Sequence, residues 1–209
     1  MTKEKFDSII IGGGASGMVA AIFAAAAGSR VLVLEQKDKL CKKIYATGNG
    51  KCNFTNRNQD SAYYRGSDAS LALPVLQSFS FEDTLAFFKD IGIYPKERNG
   101  YFYPNSEQAA SVAEALVREA KRLGVVCITG QKVISAEKRG TGEFFVKTEN
   151  ESFAGKSIVL ATGGKASPAH GSDGSGYPLA KAFGHRIITP LPAIVQLKAE
   201  GGFFKTLAG

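Results

Sequence analysis

The chain has 209 residues, 44% of them hydrophobic and 22% charged, which reads as an ordinary globular protein and excludes disordered and fibrous classes. Three scattered cysteines without a CxxC pair, and only two histidines, exclude a disulfide framework, a zinc ribbon and a metal set, so a reducing, cytoplasmic compartment is the simplest reading. The net charge of +7 and pI of about 9.3 permit nucleic-acid or membrane binding but require neither.

The opening residues, MTKEKFDS, carry both signs of charge and do not read as a secretory signal. Ile9 to Leu34 is apolar but interrupted by glycines, serines and Arg30. It reads as strand, turn, helix and strand rather than as a membrane span. Phe6 to Ile11 lacks alternation, as a strand buried on both faces does. Met18 to Ala27 is an alanine-rich helix with Gly28 at its end, and Arg30 to Leu34 is a second strand closed by Glu35. The three form a β-α-β unit with parallel strands. Asp38 to Ala46 is expected as a short basic helix and Thr47 to Asn58 as loop. Asp68 to Phe79 and Ser80 to Ile91 read as helices, the second with a Ser80/Asp83 capping box. A hairpin is expected around Asn99-Gly100. Next comes an amphipathic helix over Asn105 to Leu123, capped by Asn105 or Ser106 and ended by Gly124. Val125 to Thr129, Lys132 to Lys138 and Glu143 to Thr148 alternate, which suggests a three-stranded meander. Ser157 to Ala161 reads as another buried strand, and Ala180 to Gly184 ends a short helix. The expected division is a dinucleotide-binding domain over 1–190, with 191–209 opening a second, inserted domain that is cut short.

Gly12, Gly14 and Gly17 form GxGxxG between a strand and a helix, the context in which the motif has a mechanism. Gly12 allows the tight turn, Gly14 admits a pyrophosphate to the backbone, and Gly17 lets helix and strand pack closely. Ala15 and Ser16 open the helix, whose free N–H groups and positive dipole suit phosphates. Ala21 and Gly28 extend the fingerprint, and Glu35 stands where a carboxylate accepts ribose hydroxyls. Between Gln36 and Arg57, six cations, Lys43 among them, face Asp38 alone, an excess that suits an anionic small molecule. FAD and NAD share this fingerprint. The strand ending in Ala161-Thr162-Gly163-Gly164, together with an antiparallel insert bringing backbone near Val133 to an adenine, favours FAD in a two-dinucleotide flavoprotein.

TGNGKCNFTN, Thr47 to Asn56, is the most distinctive run. With GGGASG at Gly12–Gly17, KKIYATGNGKCNFTN at Lys42–Asn56 and YFYPNSEQAASV at Tyr101–Val112, the chain resembles the BaiN/YhiN-like flavoproteins. These are described as NAD(P)/FAD-dependent or aminoacetone-oxidase-like oxidoreductases. LATGGKASPAHGSDGSGYPLAKAFGH at Leu160–His185 and LPAIVQL at Leu191–Leu197 extend the likeness. It covers nearly all of this chain and about the first half of a usual member, whose inserted domain and returning segment complete the flavin site. The resemblance implies that Thr47, Gly48, Gly50, Lys51, Cys52 and Asn53 lie along the FAD, near its ribityl chain or isoalloxazine. Members often carry Thr-Gly-Asp-Gly where this chain has Asp173-Gly174-Ser175-Gly176, which moves the acid; Gly174 is kept among the expected cofactor contacts.

The expected fold is therefore α/β: a doubly wound, Rossmann-like FAD-binding domain of the two-dinucleotide type with an antiparallel β-meander insert. The expected function is FAD-dependent hydride transfer involving a small-molecule substrate or NAD(P)H, with no nucleic-acid or membrane partner and no metal. The alternatives are an NAD-binding dehydrogenase without flavin and a non-catalytic flavin-binding regulatory protein. Two residues are catalytic candidates. His170 lies in a glycine-bounded loop after ATGG and reads as a possible acid/base group. Cys52, beside Lys51, has redox chemistry as one reading and a small packed residue as the other.

Overall fold

The computed structural model describes residues 5–66, 68–140 and 142–192. Its centre is a sheet of six strands. Strand β1 (Lys5–Ile11) pairs in parallel with β2 (Val31–Leu34) on one side and with β9 (Ser152–Leu160) on the other, so that Ile9 stands opposite both Leu32 and Ile158. β6 (Val126–Ile128) extends the parallel part beyond β2, while β8 (Glu143–Thr148) and β7 (Val133–Arg139) extend it antiparallel beyond β9.

The uninterrupted apolar runs of β1 and β2 follow from cover on both faces. Ile10, Val31 and Val33 point into a core with Met18 and Ala21 of helix α1 (Ala15–Ala26) and with Val112 and Leu116 of α4 (Ala109–Arg122). Ile9, Ile11, Leu32 and Leu34 point the other way, against Val133, Val146 and Leu179, the last from α5 (Gly176–Ala182). The period of two in β1 and β2 thus divides their side chains between two cores.

A second sheet is built from β3 (Thr55–Asn56), β5 (Tyr101–Pro104) and β4 (Pro95–Arg98), all antiparallel. The β4–β5 turn is Asn99-Gly100, both with positive φ, as a primed hairpin turn demands. Between β3 and β4 run α2 (Ala72–Ser78) and α3 (Phe81–Asp90). α3 begins with the expected reciprocal capping box of Ser80 and Asp83. Phe54 against Phe88 (centroids 4.5 Å) and Phe81 against Phe102 (4.9 Å) hold this small sheet to α3.

Three local expectations are corrected. The strand at Val126–Ile128 does not join a meander; it lies at the far edge of the sheet, parallel to β2, and the meander is β7, β8 and β9. Residues 38–43 form bends and turns rather than a helix, because the Cys41 N–H donates to the Gly13 carbonyl at 2.7 Å and Cys41 takes φ 58. Helix α4 begins after Gln108, without a side-chain cap. The Asn105 backbone N–H donates to the Tyr94 carbonyl, Ser106 Oγ accepts from the Gln108 N–H at 3.3 Å ahead of the helix, and Glu107 turns the chain with φ 54. From residue 193 onward, the segment expected to open a second domain lies outside the described residues.

Candidate dinucleotide site

The carboxyl ends of β1, β2 and β9 meet where connections leave the sheet in different directions, the usual ligand position of an open α/β sheet. A cleft of about 340 Å³ lies there. Its floor depends on two glycines. A Cβ on Gly12, whose φ is +110, would stand 2.4 Å from the Ala161 carbonyl oxygen. One on Gly17 would stand 1.9 Å from the Gly12 oxygen, so only glycine lets α1 approach β1 this closely.

Gly14 serves a different purpose. It precedes α1 with φ −80 and ψ −171, ordinary extended backbone, and nothing lies within 4 Å of the Cβ it lacks. The first N–H groups of α1 have no acceptor four residues back. Gly14, Ala15 and Ser16 all line the cleft, so these donors sit beside open space. Lys42, Lys43 and Lys132 line the same cleft against one carboxylate, Glu35, a balance that favours a multiply charged anion.

Glu35 is 8% exposed and fixed from both sides: Oε2 accepts from the Gly13 N–H at 2.7 Å and Oε1 from the Lys37 N–H at 2.8 Å. Each oxygen keeps a second lone-pair direction for a ligand hydroxyl. The β2–β6 pairing continues beyond both strands as Glu35 N to Ile128 O (2.9 Å), Gln131 N to Glu35 O (2.8 Å) and Gly130 N to Lys37 O (2.9 Å). Glu35 and the start of β7 at Val133 are thereby held in one frame.

Across the cleft, the loop after β9 brings Ala161, Thr162, Gly163 and His170. It is tied down by Gln36 Nε2 to the Gly171 carbonyl (2.8 Å) and by Lys43 Nζ to Ser172 Oγ (3.3 Å). His170 Nδ1 lies 2.8 Å from Ser167 Oγ. Burial pushes the Asp173 carboxyl up, but hydrogen bonds from Ser175, with Gln36 adding, outweigh it and hold the group below its ordinary value.

The expected residues divide cleanly. Gly12, Gly14, Ala15, Ser16, Glu35, Lys43, Thr47, Val133, Ala161, Thr162, Gly163 and His170 line one cleft, with Gly17 beneath it. Gly48, Gly50, Lys51, Cys52, Asn53 and Gly174 stand outside that lining. Gly48 and Lys51 border a neighbouring cleft of about 350 Å³ with Arg98, Tyr103 and Glu107. Gly50 ends a 3-10 turn, and the Gly174 N–H donates to the Gly164 carbonyl at 3.1 Å. Asn53 is half-buried, and its Nδ2 finds no partner. Cys52 is buried and its thiol is pushed up by that burial, which opposes the thiolate a redox role needs. Sequence reasoning missed Gln36, Gln131, Lys132 and Ser172 among the lining residues, while Lys42 belongs to the basic cluster already read as suiting an anion. Gln131 belongs to no motif; its place two residues before Val133 was the available signal. Among the described residues no group of three metal-ligating side chains occurs, and no helix is long and apolar enough to cross a membrane.

Comparison with known proteins agrees with this geometry. The HI0933-like protein Rossmann domain matches residues 6–207. A 3-dehydro-bile acid delta(4,6)-reductase from Clostridium scindens is 46% identical over 202 residues, 96% of this chain and 49% of that protein. A ribosomal RNA dihydrouridine synthase from Escherichia coli is 31% identical over 193 residues, 92% of this chain and 48% of its own length. The chain therefore spans about half the length of the curated relatives it matches. In fold it resembles the crystal structure of 3-ketosteroid-delta4-(5alpha)-dehydrogenase from Rhodococcus jostii RHA1, with TM-score 0.63 and 19% identity over 86% of this chain and 54% of that one. With a parallel sheet, the glycine fingerprint in its working context and a family match over nearly its whole length, the chain belongs to the HI0933-like Rossmann-domain family.

Proposed function

We propose that this chain is the cofactor domain of a flavin-dependent oxidoreductase that binds FAD in the cleft at the carboxyl ends of β1, β2 and β9. One observation carries the reading: an open Gly14 at the start of α1, a buried carboxylate with spare lone pairs at Glu35 and a lysine-rich wall share one cavity. The residues fit FAD. Ala15 and Ser16 N–H groups with Lys43 would hold the pyrophosphate, Glu35 the ribose hydroxyls and the backbone at Val133 the adenine. Thr47 and the loop of Ala161, Thr162 and Gly163 would border the remainder. When bound, FAD supplies hydride-transfer chemistry at its ring. The chain orients the cofactor, neutralises its phosphates and keeps water from one side. With Nδ1 of His170 engaged by Ser167, Nε2 is the ring atom left to exchange a proton.

The curated relatives suggest the class of substrate. One is named a 3-dehydro-bile acid delta(4,6)-reductase and the other a ribosomal RNA dihydrouridine synthase, and we read both names as saturation of a C=C bond conjugated to a carbonyl. Such a reduction places a hydride on the carbon β to the carbonyl and a proton on the α carbon, with NAD(P)H as the proposed source of the electron pair. The relatives are about twice as long as this chain, and we propose that substrate determinants lie mainly in the part of such proteins that this chain does not cover. Three unpaired thiols fit a reducing, cytoplasmic setting.

The test begins with anaerobic reduction of the flavin in the protein that carries this chain. A 3-oxo-4-ene steroid and uridine monophosphate are then added in separate arms. Return of the oxidised flavin spectrum with either probe supports the reductase reading. Reoxidation by dioxygen alone, with neither probe active, contradicts it.

A further inference from the structure

The second cleft, of about 350 Å³, has a wall built by the small sheet. The register of β4 on β5 sets Lys96 opposite Tyr103 and Arg98 opposite Tyr101, and directly paired residues of an antiparallel sheet project to the same side. Glu97 and Phe102 take the other side, where Phe102 packs on Phe81 and Glu97 pairs with Arg57. The facing wall is the turn that carries Gly48, Asn49 and Lys51; a Cβ on Gly48 would stand 3.7 Å from the Tyr103 ring. Glu107 is the one carboxylate of the lining, and Lys96 (2.9 Å) and Arg98 both pair with its Oε1. The hydrogen bond from Lys96, with the charges of Arg98, Lys96 and Lys51 adding, holds that carboxyl below its ordinary value, so it stays ionised. Arg98 meets Glu107 through Nη2, which leaves Nε and Nη1. Among the described residues, Lys51 Nζ, the Asn49 side-chain amide and the Tyr103 hydroxyl have no hydrogen-bond partner.

We infer that this cleft binds a phosphate monoester, carried by the reactant that exchanges electrons with the cofactor. Three cations, Lys51, Lys96 and Arg98, against one carboxylate, Glu107, leave a formal charge of +2. A phosphate monoester carries close to two negative charges at neutral pH, so the charges match. A planar guanidinium, a mobile ammonium and a hydroxyl are donors suited to such an oxyanion. The site is separate from the place given to the FAD pyrophosphate. Thr47 borders the dinucleotide cleft, whereas Gly48, Asn49 and Lys51, next in the chain, border this one. A molecule anchored here therefore lies beside the dinucleotide rather than in its place. The role of that molecule rests on the flavin reading; the charge match does not. Two sources can supply the phosphate: the 2′-phosphate of NADPH, or a phosphate on the substrate.

The first probe is inorganic phosphate, titrated by calorimetry into the protein that carries this chain at saturating FAD. The expected result is one phosphate bound, about tenfold or more weakly in Lys51→Met and close to the parent in Lys51→Arg. Phosphate that FAD displaces, that binds Lys51→Met as tightly as the parent, or that does not bind at all overturns the inference. If FAD fails to bind while one phosphate still binds and weakens in Lys51→Met, the flavin reading falls and the phosphate site stands. NADPH beside NADH, and UMP beside uridine, are then titrated into the same protein. A preference of about tenfold or more for the phosphorylated member of one pair, lost in Lys51→Met, is expected. In the first pair it assigns the phosphate to the electron donor, in the second to the substrate. A preference in neither pair overturns the inference.

Discussion

Gly14 offers a clean separation of fold from function. Its dihedrals, φ −80 and ψ −171, suit any residue, and a new Cβ would meet nothing within 4 Å. Two small terms act on stability in Gly14→Ala. Fewer unfolded conformations stabilise by about 0.4–1 kcal/mol. Replacing glycine by alanine at the position before α1 costs up to about 1 kcal/mol. They nearly cancel, so the melting temperature should stay within roughly 4 °C of the parent. Cofactor binding should respond very differently, because the methyl occupies the space through which a pyrophosphate reaches the Ala15 and Ser16 N–H groups. Two charge-assisted hydrogen bonds at about 1.5–3 kcal/mol each come to about 3–6 kcal/mol, a loss of roughly a hundredfold or more in affinity. Gly14→Val, with two further methyls, should abolish binding. Circular-dichroism melting reports the first quantity and FAD titration of the apoprotein the second. Gly17→Ala is the contrast: its Cβ would stand 1.9 Å from the Gly12 oxygen, and overpacking of this kind costs about 1–3 kcal/mol even without ligand. A Gly14→Val protein that retains FAD as tightly as the parent, or a Gly14→Ala protein that fails to fold, would refute the reasoning.

Two further outcomes follow from the buried groups. In Glu35→Gln one carboxylate oxygen becomes an NH₂ facing the N–H of Gly13 or Lys37, so both stability and FAD affinity should fall, each by about 1–3 kcal/mol; unchanged values in melting and titration would make Glu35 a mere strand-end charge. Burial, with the Glu35 charge adding, pushes the Cys41 thiol up to about 12, and burial pushes Cys127 up to about 11, from an ordinary 9.0. Both values are raised in the fold, so the stability gained by keeping these thiols protonated is whole below pH 9 and lost as pH climbs through about 11 to 12. The melting temperature of Cys41→Ala should fall less steeply over that range than the parent's, and parallel curves would contradict the assignment.

Legibility in the sequence followed the range of the interactions. β1, α1 and β2 could be read because burial on both faces writes itself as an unbroken apolar run, and the glycine fingerprint is local. The Ser80/Asp83 box and the Asn99-Gly100 turn are decided within a few residues, and both appear as expected. The neighbour of Val126–Ile128 is not decided locally: alternation identifies a strand, while its pairing with β2 depends on where α4 returns the chain. The first half of β9 escaped notice because SFAGKS carries little apolar signal, although Gly155 packs against Ile9. In the site, Glu35 and Gly12–Gly17 were legible through spacing. Within Thr47–Asn53 spacing alone does not reveal where the run divides: the left-handed Gly48 and Asn49 turn the backbone so that Thr47 borders one cleft and Lys51 the next. Gln131 stood in no pattern, and its place at the cleft depends on a pairing with Glu35 that only the folded chain makes.

The central claim is that the cleft at the ends of β1, β2 and β9 is built for FAD. The most direct measurement is the identity of the nucleotide released when the purified protein carrying this chain is heat-denatured, read by chromatography and mass spectrometry beside authentic FAD, FMN and NAD standards. The account predicts FAD, in near-equal amount to the protein and with the parent's yellow colour leaving with it. Release of NAD from a colourless protein, or of FMN, which lacks the adenosine that Glu35 and Val133 would hold, would contradict it.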